Sequence, residues 1–168
     1  IYTDSTFIGG VVDSVKTSKI GVTGANKIAY QGEDFWVYHW AWYEIPEDVP
    51  QIRRNLVNNE DNGLNYYGQK MGANFTEFDR RLFIKYPVDV DEEWLYARGA
   101  IVRCISVSSL LTTPAGIFDT YKYLMSLEEE QQYLYYVPEI GYVGMDKVEN
   151  GEIVLKRRLT EYRVAKGE

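Results

Sequence analysis

His39 and Cys104 are the only residues of their kinds in the 168-residue chain, so any imidazole or thiolate chemistry must run through them. A Cys–His nucleophile pair needs the two side chains within hydrogen-bond reach, and their spacing offers nothing that brings them there. Each sits inside an apolar, strand-like run, the usual setting of an unreactive thiol. A Ser–His–acid triad would also have to use His39, and the chain has no Gly-x-Ser-x-Gly elbow. Glu77 and Asp79 share a face if their segment is extended. Carboxylate pairs hydrolyse glycosides only when they face each other across a cleft, and same-strand acids are commonly surface charge. Asn58-Asn59-Glu60-Asp61-Asn62-Gly63 has the oxygen spacing of a calcium loop, but Asn58 stands at position one and Gln69 at position twelve, where a bidentate Glu is needed. A polar turn is the better reading. Asp89, Asp91, Glu92 and Glu93 read as a solvated acidic loop, and Asn74-Phe75-Thr76 is a glycosylation sequon. With no Gly-rich phosphate loop either, the expectation is no catalytic residue, no metal and no cofactor.

The chain's chemical character lies in its rings: 15 Tyr, 6 Phe and 4 Trp. Trp36, Tyr38, Trp40 and Trp42 alternate along one run and fall on one face of a strand. Phe35, Val37, His39, Ala41 and Tyr43 fall on the other. Neither face is polar, which predicts a strand covered on both sides or lining a cavity. Pockets are mostly apolar with a few polar groups, and Tyr and Trp supply both. Tyr133, Tyr135 and Tyr136, with Tyr121 and Tyr123, extend the pattern, and so many hydroxyls each need a partner if buried. The candidate ligand-binding set is Trp36, Tyr38, Trp40, Trp42, Tyr133 and Tyr135. The plainer reading, that these rings are core and sheet packing, stands beside it because aromatics favour strands anyway.

Period-two runs positioning these rings recur along almost the whole length. They predict strands near Phe7–Asp13, Val15–Val22, Lys27–Tyr30, Phe35–Glu44, Leu64–Lys70, Arg81–Tyr86 and Trp94–Leu110. Further strands follow near Ile117–Leu124, Gln132–Val137, Gly141–Val148 and Glu152–Val164. Asn150-Gly151 suits a two-residue hairpin whose central residues both need positive φ. Thr113–Gly116 has type I turn chemistry, and Asn62-Gly63 and Gly24 mark reversals. Glu47–Asn59, with Val49, Ile52 and Leu56, is spaced like a short helix, while Ser126–Glu129 reads as a charged turn. The flip in phase about Arg157-Arg158 predicts a bulge or bend, and Cys104 is expected among small residues. The expected fold class is all-β, or β with one short helix: a single domain over residues 1–168 whose long antiparallel meander curls into an incomplete barrel. A net charge of −7 argues against nucleic acid, and no apolar run approaches the ~18 residues of a membrane span. The chain begins at Ile1, leaving room for a leader removed upstream.

The stretch Thr113-Pro114-Ala115-Gly116-Ile117-Phe118, then Tyr135-Tyr136-Val137-Pro138-Glu139-Ile140-Gly141-Tyr142-Val143, then Leu159-Thr160-Glu161-Tyr162, forms a distinctive series. It resembles a broad group of bacterial cell-envelope proteins, many of them lipoproteins of unassigned function. Tyr86-Pro87 and Trp94 resemble the element that precedes these motifs, so the resemblance spans about residues 86–164. It implies an open, lipoprotein-carrier-like antiparallel barrel and an extracytoplasmic location, in periplasm or at the cell surface. Cys104 is internal, so a lipid-attachment cysteine would lie upstream. The function expected is non-enzymatic: binding an apolar or amphipathic small molecule or lipid on a concave aromatic face, or scaffolding an envelope assembly. A carbohydrate-binding module with exposed Trp and Tyr platforms is the alternative, and a carboxylate-dependent hydrolase a more remote one. Pairing of exposed sheet edges with a partner chain needs no ligand at all.

Overall fold

A computed structural model describes residues 1–45, 53–71, 74–97 and 99–163. Twelve strands run in chain order: β1 (Tyr2–Ile8), β2 (Val11–Tyr30), β3 (Glu33–Ile45), β4 (Arg53–Glu60), β5 (Gly63–Met71) and β6 (Asn74–Lys85). They continue as β7 (Glu93–Leu95), β8 (Ile101–Thr113), β9 (Gly116–Leu127), β10 (Glu130–Val137), β11 (Gly141–Glu149) and β12 (Glu152–Leu159). The hydrogen-bonded order is β6-β5-β4-β3-β2-β1-β12-β11-β10-β9-β8-β7. The fold is all-β and antiparallel, and no pairing among the described residues joins β6 to β7 to close a barrel. The short helix does not form: residues 53–59 belong to β4, where cross-strand pairing with β3 and β5 overrides the near-helical spacing. The remainder of that expected helix, residues 47–52, lies outside the described residues.

Turn chemistry explains most boundaries. Asn150 and Gly151 have φ of 51° and 80°, as the two-residue hairpin requires. Gln31-Gly32 (52° and 86°) and Gly9-Gly10 (54° and 77°) make two hairpins the sequence reading missed. Gly9-Gly10 therefore splits the expected Phe7–Asp13 strand. Gly24 is no reversal but lies inside β2, where a Cβ would stand 3.3 Å from His39 Nδ1. The expected Trp94–Leu110 strand is interrupted between β7 and β8. The C-terminal strand stops at Leu159, and its irregularity lies at Val154, opposite Lys147/Val148, not at the arginine pair.

The chain divides into two compact units, residues 1–18 with 88–168, and residues 19–87. In the first, Cys104, Tyr123, Leu134, Met145, Arg157 and Asp4 are successive cross-strand partners and so share one face. Cys104 and Tyr123 are fully buried, so the thiol faces a large ring and not the small residues expected. Register shifts at Cys104/Ser106 and Ser106/Ser109 bend the β8–β9 hairpin. Its tip returns to the end of β12: Ala115 N–H donates to Leu159 O at 3.2 Å, and the Phe118 and Tyr162 rings meet edge-on at 6.0 Å. Leu111 comes down on Gly144, where a Cβ would lie 2.8 Å from Leu111 Cδ2.

The second unit holds the rest of β2 with β3, β4, β5 and β6. Val37, Leu56 and Tyr67 form its buried cluster, with Ile28 against them. The Asn58–Gly63 segment is a tight hairpin, not a cation loop, with Asn58, Asn59 and Glu60 paired to Asn65, Leu64 and Gly63. Only glycine fits at 63, where φ is 123° and a Cβ would fall 2.0 Å from Ile84 O. Asn65, wholly buried, donates to Asn62 Oδ1 and Gly63 O and accepts from Arg80 Nε, which satisfies its amide.

Candidate functional site

The alternation along β3 sorts its residues by exposure. Val37, His39 and Ala41 are buried, whereas Trp36 and Tyr38 are 56% and 46% exposed and Trp40 is half-buried. Of the two expected arrangements, cover on both sides does not hold at Trp36 and Tyr38, whose face of the strand is open. Alternate residues on a strand stand roughly 6.8 Å apart, so Trp36, Tyr38 and Trp40 make a row of rings along one face. Tyr38 pairs with Val57, which pairs with Tyr66. The Trp40 and Tyr66 rings lie 6.2 Å apart, and Tyr66 stacks on Phe83 at 5.1 Å and 19°. The ring contacts thus run from Trp40 on β3 to Tyr66 and Phe83 on β5 and β6, where Tyr66 is buried, so the open rings are Trp36 and Tyr38. Tyr66 and Phe83 escaped the sequence reading, although adjacent Tyr66-Tyr67 already placed one ring on each face. The Trp42 side chain lies outside the described residues.

Tyr133 and Tyr135 stand in the other unit, on β10. The Lys122 ammonium sits 4.6 Å from the Tyr133 ring centre and 5.6 Å from that of Tyr135. The Tyr135 hydroxyl donates to Asp146 Oδ2 at 3.0 Å, and Arg158 meets Asp146 Oδ1 at 2.6 Å. Burial, then the neighbouring Asp146 carboxylate, pushes the Tyr135 hydroxyl well above its ordinary pKa. Tyr135, buried and bonded in this way, is tied into a packed polar cluster.

The scarce nucleophiles have equally defined settings. Burial raises the Cys104 thiol pKa, so the reactive thiolate is disfavoured. His39 is 5% exposed, and its Nε2 has no hydrogen-bond partner among the described residues. Burial, then the positive Lys70 and Arg54, lowers its pKa and keeps the ring neutral. Glu77 and Asp79 lie on β6, with side chains outside the described residues. Asp89, Asp91 and Glu93 are exposed, and no cluster of three metal-ligating side chains occurs among the described residues.

No protein-family model matches this chain, and no curated protein matches it in sequence. Its fold is similar to that of a solved protein from Bacteroides fragilis NCTC 9343, named for inferred export and a YmcC-like fold. The TM-score is 0.53 at 12% identity, with 96% of this chain and 93% of that one covered. The likeness takes in nearly the whole chain, whereas the sequence resemblance reached only its second half. At this identity it establishes the shared all-β fold.

Proposed function

We propose that this chain is an exported, non-catalytic binding protein that takes saccharide rings on the aromatic face of β3. The observation that carries this reading is the exposure of Trp36 and Tyr38 beside buried Val37 and His39. Large rings held open to water on a sheet backed by a packed core are costly unless they meet a ligand. A pyranose offers a C–H face to stack on such rings and hydroxyls around its edge for water and polar neighbours, matching the mixed character of Trp and Tyr. Burial of both Cys104 and His39 supports a non-catalytic role. Export draws support from the Bacteroides neighbour's name and from a chain with one thiol.

The competing reading, an apolar or amphipathic ligand in a concavity, has its best location under the folded-back β8–β9 hairpin. Leu111 already packs there against Gly144, with Tyr135 beside it, so the open rings of β3 carry more weight. Acrylamide quenching of tryptophan emission, with and without added oligosaccharides, tests the proposal. Efficient quenching that a bound glycan relieves, and that Trp36→Ala diminishes, is the expected result. Rings inaccessible to quencher, or quenching that no glycan alters, would count against it.

A further inference from the structure

The β1–β2 hairpin ends in Phe7-Ile8-Gly9-Gly10-Val11-Val12, six residues without a polar side chain. Ile8 pairs with Val11 and Phe7 with Val12, and directly opposed residues share a face. The ribbon tip is therefore apolar on both sides. Ile8, Val11 and Val12 are 70%, 71% and 52% exposed. A hydrogen bond of 2.7 Å between the Thr6 and Ser14 hydroxyls, with exposed Asp13, marks where the polar ribbon resumes. β12 begins at this same end, since Thr6 pairs with Leu155, and adds half-exposed Ile153.

The form of this tip limits what can cover it. Three such aliphatic side chains present roughly 200–300 Å² of apolar surface. That is far below the ~800 Å² per partner of a standard protein interface, so the tip alone does not hold a second copy. A ribbon apolar on both faces loses its water only inside something that surrounds it. Two residue pairs and a turn reach about 8–10 Å, the depth to which interfacial elements enter a bilayer. The charge around it is mainly acidic: Asp13, Glu149 and Glu152 are exposed at this end, with Lys16 and Lys156 the nearby cations. Lys147 is taken up by Glu130 and Glu149, at 3.0 and 2.9 Å. Such a collar opposes anionic lipid and suits the ammonium of a zwitterionic headgroup.

We infer that the β1–β2 tip is a membrane-docking element that inserts Ile8, Val11 and Val12 into the headgroup region of a zwitterionic bilayer. This stands independently of what β3 binds. The test is flotation of the full chain with phosphatidylcholine–phosphatidylethanolamine vesicles. The wild type floats equally at low and high salt, because the attraction is apolar. Val11→Asp lowers the floating fraction by about tenfold or more, and Val11→Leu preserves it. A second readout does not depend on the Asp variant folding. Val11→Cys carrying an environment-sensitive dye brightens and shifts to the blue on vesicles, with Cys104 shielded from label by its burial. Flotation of Val11→Asp like wild type, binding only to anionic lipid, failure of the folded wild type to float, or an unresponsive dye would each overturn the inference.

Discussion

Arg157 and Arg158 are consecutive, point to opposite faces of one strand, and each finds its own carboxylate. Arg157 meets Asp4 through Nε–Oδ1 and NH2–Oδ2 at 2.6 and 2.7 Å, with the Ser18 hydroxyl donating to Asp4 at 3.1 Å. Both partners are about one-seventh exposed. Removing Asp4 takes the carboxylate from a mostly buried guanidinium, so Asp4→Ala costs about 3 kcal/mol in urea unfolding. Replacing both with apolar residues of similar size costs less, and a double-mutant comparison measures the difference. His39 makes the stability of the fold depend on pH. Its folded pKa lies below the unfolded value of about 6.5, so unfolded chains bind the extra proton first. Stability is fully present above that pH and falls as the pH drops towards the folded pKa, by at most about 1.4 kcal/mol per unit. Midpoints of denaturation from pH 7.5 to pH 5 check this, and His39→Leu flattens the slope by removing the group. The alternation that separates Trp36 and Tyr38 from Val37 and His39 was legible in the sequence. Which face stays open was not, because it depends on what the neighbouring strands cover.

At the scale of elements, the bent β8–β9 hairpin is the feature with the sharpest energetic consequence. Gly144 has room for no side chain: a Cβ would lie 2.8 Å from Leu111 Cδ2 and 3.2 Å from Arg157 O. Gly144→Ala therefore destabilises by about 1–3 kcal/mol through overpacking, and Leu111→Ala by about 2–5 kcal/mol through the cavity it leaves. The double variant loses clearly less than the sum, because each change relieves the other. Strict additivity in chemical denaturation would mean that the hairpin does not fold over β11. Turn signals located the hairpin at Asn150-Gly151 because its residues alone dictate positive φ. The bends in β8 left no such mark, since they arise from register shifts among Cys104, Ser106 and Ser109 that only the partner strand defines. The expected helix failed over residues 53–59 for a related reason: apolar residues at near-helical spacing also fit β4, where Leu56 faces the core opposite His39.

For the whole molecule, composition and alternation foretold an antiparallel all-β chain. Under the proposed function, a saccharide stacks on the exposed rings of β3. Trp36 and Tyr38 sit on a sheet whose other face is packed, so truncating them removes contact area without opening the core. Trp36→Ala and Trp36→Ala/Tyr38→Ala are therefore expected to unfold within about 0.5 kcal/mol of the wild type while losing ligand. The direct measurement is binding of the labelled full chain to a glycan array, beside these two variants and the Tyr133→Phe control. The expected result is a restricted set of glycans bound by wild type and control, weakened about tenfold or more by Trp36→Ala and lost in the double variant. Binding that is indifferent to Trp36 and Tyr38, or a folded wild type that binds no glycan, would overturn the saccharide reading.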